Sequence, residues 1–310
     1  TKFLLAPNYM RSFWIYDYVN DSWESITPTG GTSYGSGKFN GFVYSTTQDK
    51  YYTVPNGYRG HLWEIDIAAG TGVLIMDNTN LEKSFSCACE GPDGKIYFFP
   101  KSRSAGGPDM MQLDPATGTV VDMISPVAVD QLWVGTGVGS SFGNALYHAG
   151  ANSIIACPHQ ANQFIKLDFN NMTNGIPAGS AITQTVDTRT SADGSTRGKW
   201  HTMVRREDGR FSCFSCGRFD SNDGRVSKNA IYDPLDDSCI EDGVATLGQD
   251  ANTTFLHGLM HAPTGRAGSS LAMDTGSSSV ANQIERLPMF DTFDPITTYD
   301  PIHPTYNVAW

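Results

Sequence analysis

"DGKIYFFP" occupies residues 93–100. Asp93-Gly94 is a turn pair, Ile96 to Phe99 are β-formers, and Pro100 ends the strand because it has no N–H to give to a ladder. The same grammar recurs along the chain. "TKFLLAP" puts Lys2 where this stretch puts Lys95, "DKYYTVP" puts Lys50, "NSIIACP" Ser153, "GRFSCFS" Arg210 and "GRAGSSL" Arg266. These anchors stand 48, 45, 58, 57 and 56 residues apart, and a period near 50 marks a propeller or a solenoid.

Each copy has a second half: an apolar strand ending in Asp17, Asp66, Asp114, Asp168 or Asp233, then a turn, often followed by another strand. A recurring Asp invites a reading as metal or acid chemistry. Asp at the first turn position also bonds the backbone two residues on, and that structural reading is the simpler one. A further strand precedes each turn, as in "SFSCACEGPDGK" and "GNALYHAGANS". The first copy lacks it, while "TYNVAW" at the other end is an unattached strand-like piece. Four strands per repeat, six repeats and a copy split between the ends predict an all-β fold. The expected architecture is a six-bladed β-propeller, one domain over residues 1–310, closed by N- and C-terminal strands. In the last copy the outer pairing stays open between Ile284 and Phe293-Asp294. No segment carries 3.6-residue apolar spacing over 11 residues, so helix should be scarce.

The composition narrows the partners. A net charge of −11 argues against a nucleic-acid groove or an anionic membrane surface. No apolar run approaches 18 residues, so no membrane insertion is expected, and "TKFLLAPNYM" shows no signal-peptide pattern. Six cysteines in a chain of 310 residues are not needed as staples, and buried free thiols are expected. The lone CxxC of Cys213 and Cys216 lacks the second pair or His that a zinc finger requires.

"DGRFSCFS" (208–215) followed by "AIYDP" (230–234), and "DGKIYFFP" followed by "QLDPATGT" (112–119), resemble loosely kelch-like propeller repeats. Such repeats are found in bacteriophage virions, as tail, fibre or head-associated components. As a pattern the resemblance spans nearly the whole chain. It implies a structural or adhesive virion or surface protein, with other virion or surface proteins and host glycan as partners. The chain departs from true kelch repeats, since Gly30-Gly31 and Gly106-Gly107 do not end strands in register. The chain lacks the Trp-Asp pair of WD40 repeats and has Gly-His only once, at 60–61. "LDPATGT" is similar to a quinoprotein turn but lacks its closing tryptophan, so no cofactor carries over.

Nine residues upstream of each anchor stand Gly41, Ser86, Asn144, His201 and His257. Four of these five are polar, as a water-filled channel or a ligand pocket would need. Ser86, Asn144, His201 and His257 are therefore the candidate ligand-binding ring. His201 and His257 alone do not make a metal site without a third ligand, and no metal is expected. "FDSNDGRV" has part of a calcium loop but not its distal Glu. The chain has no H-E-x-x-H and no phosphate loop, and no catalytic residue is nominated. "MFDTFDPITTYDPIHPTY" (289–306) is either the end of the last blade or an extended contact segment, with Phe290, Phe293 and Tyr299 as its protein-contact candidates. A non-enzymatic binding propeller is the first reading. A metal-dependent hydrolase or lactonase, or a glycan lyase, acting at the channel is the alternative.

Overall fold

A computed structural model describes residues 2–5, 12–17, 20–28, 39–55, 61–77, 84–101, 110–127, 141–159, 161, 163–183, 186, 200, 202–214, 228–244, 256–261, 269–274 and 284–288. All regular structure among them is β, in six antiparallel sheets. The first holds β1 (Lys2–Leu5), β2 (Phe13–Asp17) and β3 (Ser22–Ile26). The second holds β4 (Phe39–Ser45), β5 (Lys50–Pro55), β6 (Leu62–Asp66) and β7 (Thr71–Met76). The third is β8 (Phe85–Glu90), β9 (Ile96–Pro100), β10 (Met110–Asp114) and β11 (Thr119–Met123). The fourth is β12 (Phe142–His148), β13 (Ser153–Pro158), β14 (Gln163–Thr173) and β15 (Ile176–Thr183). The fifth is β16 (Thr202–Arg205), β17 (Phe211–Phe214), β18 (Lys228–Tyr232) and β19 (Cys239–Val244). The sixth has β20 (Leu256–His261), β21 (Ser269–Asp274) and β22 (Ile284–Pro288). Each sheet is a meander of chain-adjacent strands.

The turn chemistry is local. The residue before the anchor takes the left-handed conformation in four sheets: Asp49 (φ 55°), Gly94 (φ 75°), Asn152 (φ 46°) and Gly209 (φ 84°). Asp, Asn and Gly are the residues that tolerate this region, which is why the hairpins read as "QDK", "DGK", "ANS" and "DGR". The recurring Asp is a turn cap. Asp114, Asp168 and Asp233 accept from the N–H of Ala116, Asn170 and Leu235 at 3.0, 2.9 and 2.9 Å. Asp66 reaches Ala69 N–H at 2.8 Å and Asp17 reaches Asn20, each three residues on.

Asp168 departs from its repeat. The strand runs past it, the register shifts between Asp168 and Met172, and the turn falls at Asn174-Gly175. Both turn residues have positive φ (52° and 75°), as a two-residue hairpin with a right-handed twist demands. In the last repeat the open pairing is resolved, for β22 begins at Ile284 and pairs with β21. The first sheet starts at the anchor strand β1 and has three strands. Residues 289–310, with Phe290, Phe293, Tyr299 and the proposed closing strand, lie outside the described residues.

The innermost strands stand side by side in chain order: β4 by β8, β8 by β12, β12 by β16, and β16 by β20. The core lies between sheets rather than within one. Phe13 and Ile15 pack with Trp63 and Ile65; Val43, Tyr52 and Leu62 with Met111 and Leu113; Tyr97, Phe99 and Met110 with Ile165 and Leu167; Ile155 and Phe164 with Ala230 and Tyr232. Alternation on the third strand explains this order. One and three residues before the turn Asp, the side chain faces the preceding sheet; two and four before it, the next.

Candidate functional site

The column read as a channel ring is a column of β-bulges. The ladder register shifts between Phe39 and Phe42, Phe85 and Cys87, Phe142 and Ala145, and Leu256 and Gly258. Those breaks fall on Gly41, Ser86, Asn144 and His257, while His201 lies outside the described residues. Gly41 sits at φ 125°, where a Cβ is disfavoured. A bulge re-aims its side chain out of the ladder, and here it turns toward the next sheet. The Ser86 hydroxyl donates to Pro100 O at 2.9 Å and accepts from the Phe142 N–H of the fourth sheet at 3.2 Å. Asn144 grips the Met203 backbone of the fifth sheet with both ends of its amide. Its Nδ2 donates to Met203 O and its Oδ1 accepts from Met203 N–H, each at 2.8 Å. Both residues are buried, so their polar atoms meet main chain rather than channel water. Of His257 the structure gives only its place at the bulge.

Other ties run between the same neighbours. Glu90 accepts from Ser45 Oγ and Thr46 N–H at 3.0 and 2.8 Å, joining the third sheet to the second. Gln112 Nε2 donates to Gly175 O at 3.1 Å, and Lys166 Nζ to Pro234 O at 3.0 Å and Asp237 Oδ1 at 2.7 Å.

The two ends of the sheets differ. The hairpin connections at one end have two to seven residues, as at 174–175 and 233–238. The connections from one sheet to the next leave from the other end with 8 to 18 residues, and 215–227 joins them there. A second set of polar residues stands at this end, on backbone steps that continue from sheet to sheet. Lys101 N–H donates to Ser84 O at 3.0 Å, Ser141 N–H to Lys101 O at 2.7 Å, and His159 N–H to Ser141 O at 2.9 Å. Ser84, Lys101, Ser141 and His159 are all buried. Lys101 and His159 hold the same repeat position, the residue after the Pro that ends the second strand ("FPK", "CPH"). The sequence reading passed over them, although that Pro was its own register mark. Also at this end, His61 Nδ1 lies 3.0 Å from Asp77 Oδ1, and burial pushes its pKa below the usual value against the raising effect of Asp77. Among the described residues no three His, Cys, Asp or Glu side chains gather as a metal ion would require.

No protein-family model matches the chain, and no curated protein is similar to it in sequence. Solved structures are similar in fold. One is a catalytically inactive virginiamycin B lyase from Staphylococcus aureus with quinupristin, at 12% identity and a TM-score of 0.59, covering 93% of this chain and 80% of that one. The periplasmic gluconolactonase of Pseudomonas aeruginosa matches at 10% identity and a TM-score of 0.57, over 93% and 83% of the two chains. A streptogramin B lyase structure matches at 12% and 0.55, over 94% and 80%. At such identities the likeness concerns the fold, which is β-propeller-like. No helix among the described residues is long and apolar enough to cross a membrane.

Proposed function

We propose that the chain closes into a six-bladed ring and acts as a binding module of a virion or cell surface, engaging a glycan or a neighbouring protein. The observation that carries this reading is the segregation of the two ends. Tight capped turns fix one end, and every long connection leaves from the other. Loops on a rigid scaffold are where recognition concentrates. The kelch-like resemblance supports the virion setting, and the net charge of −11 fits a protein or neutral glycan better than a polyanion. Residues 306–310 complete the first sheet beside β1, and Phe290, Phe293 and Tyr299 contact the neighbouring subunit. A glycan array read with the labelled chain, alongside co-purification with particles, tests the proposal. Binding to defined glycans or particles is expected, and a free monomer that retains nothing would refute it.

Enzymatic action at the loop end is the second reading. It is favoured by the buried Lys101 and His159 at that end and by lyase and lactonase structures of similar fold. Turnover of lactones or of quinupristin, abolished by His159→Ala, would establish it.

A further inference from the structure

Two of the buried thiols face each other across one joint between sheets, and the repeat alone puts them there. Counted from the anchor of each second strand, the fourth residue on packs toward the next sheet and the third toward the preceding one. This sets Val54 with Phe98 where the second sheet meets the third, and Phe99 with Ala156 where the third meets the fourth. Where the fourth meets the fifth it sets Cys157, on β13, with Cys213, on β17. Both are 0% exposed, and their side chains are hydrogen-bonded to each other. The two sheets are drawn together at this level. Cys157 lies opposite the bulge that carries Asn144, between the ladder pairs Ala145–Ala156 and Phe142–Pro158. Cys213 is the direct ladder partner of Met203, the residue that Asn144 grips. The other described cysteines are placed differently. Cys87 and Cys89 share one strand, β8, at the joint before, and β18 separates the strands of Cys213 and Cys239.

We infer that Cys157 and Cys213 are a redox lock: a small-molecule disulfide converts them to a disulfide that fastens the fourth sheet covalently to the fifth. One protein thiolate attacks a sulfur of the small disulfide, whose S–S bond breaks and releases a first thiol. The other thiolate attacks the protein sulfur of that mixed disulfide, the new S–S bond forms and a second thiol leaves. The two protein sulfurs are oxidised, one small disulfide is reduced to two thiols, and the two protein protons end on them. Burial, and then the hydrogen bond with Cys157, pushes the Cys213 thiol well above its usual pKa. Thiolate is therefore scarce in the closed fold, and exchange waits on opening of the joint. Thiols persist inside cells and disulfides outside, so the lock is open where a surface protein is made and shut where it works.

The full chain, brought to equilibrium in glutathione buffers from fully reduced to fully oxidised, tests this. Acid quenching, alkylation under denaturing conditions and peptide mapping by mass spectrometry read the outcome. At the oxidised end two of the six cysteines should escape alkylation, and a linked peptide pair should carry Cys157 and Cys213. The urea midpoint should rise over that of the reduced chain, because the bond restrains the unfolded state. Six alkylated cysteines in every buffer overturn the inference, as does a chain that stops at a glutathione adduct. A linkage that joins Cys213 to Cys216, or to any cysteine other than Cys157, overturns it too. In Cys157→Ala the rise in midpoint on oxidation should vanish, and a rise that persists refutes the lock. Glycan binding is read in its own assay, so the two proposals fail separately.

Discussion

Asn144→Ala removes both hydrogen bonds that fasten the fourth sheet to the fifth. The two bonds are 2.8 Å long, and Asn144 and Met203 are buried, so water does not replace the lost amide. A neutral hydrogen bond contributes about 1 kcal/mol net, and a buried group left unsatisfied costs about 1–3 kcal/mol. Loss of one donor and one acceptor therefore predicts a destabilisation of about 2–4 kcal/mol. For a chain of this size that is roughly a 4–8 °C fall in Tm, at about 2 °C per kcal/mol. Urea unfolding followed by tryptophan fluorescence measures it. Asn144→Asp sharpens the test. One carboxylate oxygen still accepts from Met203 N–H, but the other faces Met203 O, where the native amide donates. Burial and that carbonyl raise the folded-state pKa of the new Asp above its unfolded value of about 3.9. The native state then holds the proton more tightly. Below pH of about 3.9 the protonated acid donates as the amide did, and the penalty is smallest. It grows as pH rises through that value and levels off above the folded pKa. An Asn144→Ala variant within about 1 kcal/mol of the parent, or an Asn144→Asp penalty flat from pH 4 to 7, would refute the clamp.

His148 accepts from Ala151 N–H through Nδ1 at 2.9 Å, and its pKa is lowered, first by burial and then by the Arg205 charge. A lowered folded pKa means that its contribution is intact above about pH 6.5 and is lost as pH falls below it. Melting followed from pH 8 to 5 should show that loss, and His148→Asn, whose Oδ1 replaces the acceptor, should flatten it. Cys87, Cys89, Cys157 and Cys213 are buried free thiols, and burial pushes Cys89 up to about 12. Maleimide should therefore label most of the six cysteines after denaturation without reductant and few before; recovery of two or fewer would mean an oxidised framework. Deleting residues 306–310 should lower Tm, because the edge of β1 loses its proposed partner strand, and an unchanged midpoint would show that the segment is not part of the sheet.

The repeat was legible because its signals are local. A turn Asp, a left-handed residue before the anchor and a strand-ending Pro act within a few residues, and each appears where the spacing put it. The Asp168 turn misled because "NNMTNG" offers two turns, and the Asn-Gly pair fits hairpin twist better. The polar column was found, but its meaning was not. Ser86 and Asn144 recur at one position whether they face water or a neighbour's amide, and that partner lies 56 to 59 residues away. Lys101 and His159 stayed hidden because the residue types at their position differ from sheet to sheet.

The clamp has a consequence for how such a chain can diverge. Ser86 and Asn144 hold the next sheet by its main chain alone, at Phe142 N–H and at both polar groups of Met203. The gripping sheet thus recognises a strand in the right place without reading its side chains. At those two contacts the neighbour's side chain is free to drift, whereas the apolar faces packed between sheets must still match. That helps leave the copies alike in grammar and unlike in wording, and in a ring closed as proposed above a circular permutant with new ends in one of the long connections should still assemble.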